Sequence, residues 1–111
     1  MVFRNLSLEE TRLLDFLIRK ADNLVVQSDL YAKIKVADMQ DGGMGSLRLF
    51  PTGLELPETS FGKQASECQF TDKDGVEVIA SLNLDVNGNL YELDIWKTNY
   101  EKLIHIPERF G

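Results

Sequence analysis

Asn87-Gly88 sits between two runs of alternating hydrophobicity, and this feature constrains the fold more tightly than any other. Asn-Gly supplies the two positive-φ positions of a type I′ turn, which reverses a strand in two residues. Before it, Val76, Val78, Ala80, Leu82 and Leu84 recur at every second position. After it, Leu90 to Trp96 reads as the return strand. A two-residue turn here pairs Val86 with Asn89, Leu84 with Tyr91, Leu82 with Leu93 and Ala80 with Ile95. The opposite face then pairs Asn83 with Glu92, Ser81 with Asp94 and Ile79 with Trp96. Both strands agree with this register without adjustment, which a one-residue slip would destroy. One face is apolar and belongs to a core. The other is polar and acidic, with one Ile79–Trp96 patch worth about 0.2–1 kcal/mol to the sheet.

A helix is the natural cover for the apolar face. Ser7 followed by Glu10 forms a capping-box signature. Leu13, Leu14, Leu17, Ile18 and Ala21 then repeat at helical spacing, up to Asp22-Asn23. Glu9 and Glu10 near its start, with Arg19 and Lys20 near its end, suit the helix dipole. Further along, Leu30, Ala32, Ile34 and Val36 alternate with polar residues and predict a strand over 30–36. Ser46 to Phe50 predicts another, stopped by Pro51. Thr52 to Lys63 reads as a loop whose Leu54, Leu56 and Phe61 need cover. Ser66 to Phe70 is a third strand before the Asp72-Lys73-Asp74-Gly75 turn. Lys97 to Leu103 reads as a turn of helix, and Leu103 to Ile106 as an extended closing segment. No internal repeat appears, so residues 1–111 read as one domain. The expected class is α+β, an N-terminal helix packed on a mainly antiparallel, meander-like sheet.

Composition bounds the class of function. The chain is 43% hydrophobic and 27% charged, which fits a globular protein. No apolar run is long enough to span a membrane, and the N-terminus lacks a secretion-signal pattern. Cys68 is the single cysteine, so no internal disulfide forms and a cytoplasmic location is expected. The net charge is −6, and it is segregated. Glu67, Asp72, Asp74, Glu77, Asp85, Glu92 and Asp94 stand against Lys73 alone between residues 64 and 96. Such a segment repels nucleic acid and attracts a basic protein.

Asp41-Gly42-Gly43-Met44-Gly45-Ser46 invites a phosphate-cradle reading. A P-loop needs a lysine and a following helix, and neither is present. The glycines fit a tight connection between strands. Three of them exceed what a simple hairpin needs, which leaves room for a bulge or for another backbone at close range, a partner's included. Asp72-Lys73-Asp74-Gly75 and Asp85-Val86-Asn87-Gly88-Asn89 echo calcium loops, but glycine arrives too early in each for an EF-hand. No metal or cofactor is therefore expected. His105 is the single histidine, and a dyad with Cys68 needs a pocket that no spacing supplies. No catalytic set can be read.

Three stretches together carry a resemblance: Asp41-Gly42-Gly43-Met44-Gly45-Ser46-Leu47, Asp72-Lys73-Asp74-Gly75-Val76, and Leu90-Tyr91-Glu92-Leu93-Asp94-Ile95-Trp96-Lys97. Over most of its length the chain resembles a family of small uncharacterised bacterial single-domain proteins. The resemblance implies an association with immunity proteins, which neutralise a toxin delivered by a neighbouring bacterium. It carries over no catalytic residue.

These observations lead to one expectation: a cytoplasmic protein-binding module, most concretely an immunity protein that masks a basic toxin domain. Asp72, Asp74, Glu77, Glu92 and Asp94 would steer the partner, and Ile79 and Trp96 would anchor it. The alternative is a small-ligand or metal-binding accessory domain using the Gly42–Gly45 loop with Asp38, Asp41, Asp72 and Asp74.

Overall fold

The computed structural model describes residues 2–55 and 58–110. Helix α1 spans Leu8–Lys20 and a short α2 spans Leu30–Lys33. The strands are β1 (Lys35–Asp38), β2 (Leu47–Phe50), β3 (Phe61–Thr71), β4 (Glu77–Asp85) and β5 (Leu90–Lys97). They form one antiparallel sheet in the order β1-β2-β5-β4-β3. The fold is α+β, as expected.

Helix α1 starts where its capping box dictates. The Ser7 hydroxyl accepts from the Glu10 amide at 3.1 Å, and the Glu10 carboxylate accepts from the Ser7 amide at 2.8 Å. Arg4 grips that same carboxylate at 2.8 Å with both terminal nitrogens and reaches Asp38 at 2.7 Å, tying the N-terminal segment to α1 and β1. Leu13, Leu14, Leu17 and Ile18 are buried against the sheet. Each such side chain contributes about 1.5–3 kcal/mol on burial. Beneath them lie Val36, Leu47, Leu49, Cys68, Phe70, Val78, Ala80, Leu82, Leu84, Leu93 and Ile95. Ser66 and Lys20 pin the helix to β3. The Ser66 hydroxyl donates to the Leu17 carbonyl, and Lys20 Nζ donates to the Glu67 carbonyl at 2.6 Å.

The hairpin register holds from Ile79–Trp96 through Ala80–Ile95, Ser81–Asp94 and Leu82–Leu93 to Asn83–Glu92. It then shifts, and Leu84 pairs with Leu90 instead of Tyr91. The turn causes the shift. Gly88 has positive φ but Asn87 does not, so the turn is not type I′. The Gly88 amide donates to the Asp85 carbonyl, and the Asp85 amide donates to the Asn89 carbonyl. That is a type I turn closed by a glycine bulge. The buried Asp85 carboxylate selects it by accepting from the Asn87 and Asn89 amides at 2.8 and 3.0 Å. A bulge opposite Leu84 then turns Tyr91 outward beside Glu92.

Three other expectations need correction. Residues 30–33 are helical and the strand begins at Lys35, because Leu30 and Ile34 bury at helical spacing while Ala32 is exposed. Lys97 to Leu103 is not helical. Lys97 ends β5, and Tyr100 closes a turn onto its carbonyl at φ 63°. Phe61 to Lys63 belongs to β3, although Leu54 and Phe61 stay largely exposed; Leu56 lies outside the described residues.

Candidate functional site: an open acidic sheet face

Helix α1 covers one face of the sheet. On the other face, register places Glu67, Gln69 and Thr71 of β3 beside Glu77, Ile79, Ser81 and Asn83 of β4. Next come Tyr91, Glu92, Asp94 and Trp96 of β5, then Arg48 of β2 opposite Glu92. Four carboxylates, Glu67, Glu77, Glu92 and Asp94, therefore share this part of the face with one guanidinium. Arg48 lies 4.0 Å from the Tyr91 ring centroid, a cation–π stack. Burial lifts the Glu92 carboxyl above the usual range, and the nearby Asp94 charge adds to the lift while Arg48 opposes it. Asp94 is exposed and accepts from the Ser46 hydroxyl at 3.2 Å.

Trp96 is 38% exposed and pairs across the ladder with the half-buried Ile79. Tyr100 is 71% exposed, with its ring centroid 6.0 Å from that of Trp96. A tyrosine at positive φ is uncommon and strained. The strained turn presents the Tyr100 ring beside Trp96 on an otherwise hydrophilic face.

Not every acid of the 64–96 segment joins this face. Asp72 is a correction: its side chain is fully buried. It accepts from the Lys73 and His105 amides through Oδ1, and from Lys97 Nζ and the Ile104 amide through Oδ2. Burial opposes its charge, but the Lys97 ammonium and these amides outweigh it and hold the carboxyl below the usual range. Asp74 binds the same ammonium at 2.6 Å from an exposed position in the turn. Lys97 is the residue that the sequence reading missed, at 0% exposure. Its signal was parity: Leu93 and Ile95 face the core, and Lys97 is next in that series. A lysine on an apolar face needs carboxylates. Asp72, Asp74 and Asp85 are thus engaged within the chain, and the carboxylates of the open face are Glu67, Glu77, Asp94 and the half-buried Glu92.

The glycine loop holds its own chain. The Asp41 carboxylate accepts from the Met44 and Ser46 amides at 3.1 and 2.9 Å. Gly43 sits at φ 85°, where a Cβ would lie 2.9 Å from Lys102 Cγ, and its carbonyl accepts from the Leu103 amide. Gly45 meets the Leu103 side chain in the same way. The second backbone for which the surplus glycines make room is the C-terminal segment. That segment continues through Asp72 to Glu9, and ends with Phe110 against Phe16 and Phe70.

The aspartates of the accessory-domain alternative are separately engaged: Asp38 by Arg4, Asp41 by the loop amides, Asp72 and Asp74 by Lys97. Among the described residues, no three His, Cys, Asp or Glu side chains converge as a metal-binding group. Cys68 is buried in the core, where burial pushes its thiol up. The His105 ring faces Glu9 at 3.6 Å, and its amide bonds Asp72. The two groups do not meet as a dyad. No helix among the described residues is long and apolar enough to cross a membrane.

The chain belongs to the family described as Domain of unknown function (DUF6984), whose model matches residues 3–107. No curated protein and no solved structure matches it.

Proposed function

We propose that this protein is a protein-binding module that masks a basic surface, most concretely an immunity protein that blocks a cationic toxin domain in the cytoplasm. One observation carries the reading: a sheet face uncovered by any described element groups Glu67, Glu77, Glu92 and Asp94 around Ile79, Trp96 and Tyr100. The carboxylates draw a cationic partner into register, and the aromatic pair supplies the desolvated centre where binding energy concentrates. A second copy docked two-fold through this face would set carboxylates against carboxylates, so the fitting partner is a different, basic protein. The raised Glu92 carboxyl and the strained Tyr100 backbone support the same reading, since both cost stability in the free protein. Masking requires no bond chemistry.

The test is co-expression with a secreted toxin encoded beside this gene. Protection by the wild type, lost on Glu92→Lys/Asp94→Lys with the fold intact, is the expected result. Equal protection by the variant would contradict the surface assignment.

A further inference from the structure

The two edges of the sheet are finished differently. Along β1, Arg4 and Val36 exchange both backbone hydrogen bonds at 2.8 Å, so the N-terminal segment covers that edge. The β3 edge is the longer one, at 11 residues. In an antiparallel ladder, hydrogen-bonded and non-hydrogen-bonded pairs alternate. The Asp72 amide donates to the Val76 carbonyl, so Phe70–Val78 and Cys68–Ala80 are hydrogen-bonded pairs. Thr71, Gln69 and Glu67 must then turn their amides and carbonyls away from β4. Two contacts agree with this parity. The Thr98 amide takes the Glu77 carbonyl on the far side of β4, and Lys20 Nζ reaches the Glu67 carbonyl on the open side. Among the described residues, the outward amides of Glu67, Gln69 and Thr71 and the carbonyls of Gln69 and Thr71 have no other partner.

An unpaired edge accepts another strand. The side chains at those outward positions lie on the acidic face, and Glu67 begins a row that crosses Ser81 to Asp94. A strand added to β3 extends that row, so its side chain beside Glu67 is favoured as a cation. Its alternate side chains meet the inner rim, where Phe70 and Phe110 pack. Resting on the masking reading above, we infer that the basic partner contributes an extended segment that pairs with β3 from Glu67 to Thr71, cations toward the acidic face and apolar residues toward the rim. Lys20 guards the edge until that segment displaces it from the Glu67 carbonyl.

The probe is a capped Lys-Val-Lys-Val-Lys-Val peptide added to isotopically labelled protein, with hydrogen exchange read residue by residue. Binding should protect the Gln69 and Thr71 amides. Gln69→Pro removes an outward N–H and no ladder bond, so the fold should survive, as proline is tolerated on edge strands. It should weaken the peptide about tenfold or more. An N-methylated peptide of equal charge, tested on the unaltered protein, should not bind. Equal binding of the N-methylated peptide, unprotected Gln69 and Thr71 amides, or no binding at all would overturn the inference. So would a Gln69-dependent homodimer, which would identify a second copy as the occupant. If strand addition fails while Glu92→Lys/Asp94→Lys still abolishes protection, the masking reading stands without it.

Discussion

Asp72→Asn keeps the shape of a fully buried side chain that takes four donors, and removes its charge. Two donors converge on each carboxylate oxygen: the Lys73 and His105 amides on one, Lys97 Nζ and the Ile104 amide on the other. A carboxamide offers a single oxygen, so two donors lose their acceptor and its NH2 faces them instead. Breaking a buried ion pair costs about 3–5 kcal/mol. Asp74 still holds Lys97, which places the loss near the lower end, about 3 kcal/mol. Unfolding entropy of about 2.1 cal/mol/K per residue over 111 residues is about 0.23 kcal/mol/K, so the melting temperature should fall by about 13 °C at pH 7. Calorimetry reads the fall, and hydrogen exchange should show lost protection at Ile104 and His105. The pH dependence has a defined sign. The Asp72 carboxyl is held below its ordinary value, so its stabilisation is complete above about pH 4 and disappears as pH falls through the folded-state value. The gap between variant and wild type should therefore close in acid. A fall of less than about 3 °C at pH 7, or a gap unchanged in acid, would refute the role assigned to this network.

Three further outcomes follow from the same geometry. Burial and Asp94 raise the Glu92 carboxyl, so the charged form is disfavoured and the group's stabilisation is lost as pH rises through the folded value. Glu92→Gln should raise stability at pH 7 by about 0.5 kcal/mol after discounting for solvent exposure, and by nothing well below pH 4, read by urea titration. Tyr100→Gly removes a side chain from a left-handed position, so stability should hold or rise by up to about 1 kcal/mol while partner affinity falls about tenfold. Gly43→Ala adds a Cβ at φ 85° against Lys102 and should cost about 1–2 kcal/mol by the urea midpoint.

Much of this architecture was legible, and the exceptions share a cause. Ser7 and Glu10 announced α1, because caps are local. The Ile79–Trp96 pairing, placed from a two-residue turn that does not form, holds because the bulge at Tyr91 restores the register the turn had shifted. Leu30 to Val36 misled because Leu30 and Ile34 satisfy spacings of both two and four. The turn type was missed because the Asp85 carboxylate, and not the Asn-Gly pair, determines which amides are capped. Three of the four carboxylates of the acidic face were legible. Glu77, Glu92 and Asp94 lie on it, and Glu67 joins them through a β3 pairing that crosses the sheet. Asp72 was assigned to the surface because its burial depends on Lys97 and on the Ile104–His105 backbone, both distant in sequence. The glycine loop had the same obstacle, since the Lys102–Leu103 segment beside it arrives from the other end of the chain.

An open acidic face that receives a basic partner, as proposed, must respond to salt. The association rate with the proposed basic partner, measured against salt for the wild type and for Glu92→Lys/Asp94→Lys, reads this directly. The Debye length is about 8 Å at physiological ionic strength, so steering by exposed carboxylates must weaken as salt rises. The wild-type rate should fall steeply with salt, and the variant should associate at least about tenfold more slowly at low salt with a flattened dependence. Identical rates and identical salt slopes for the two proteins would contradict the proposal.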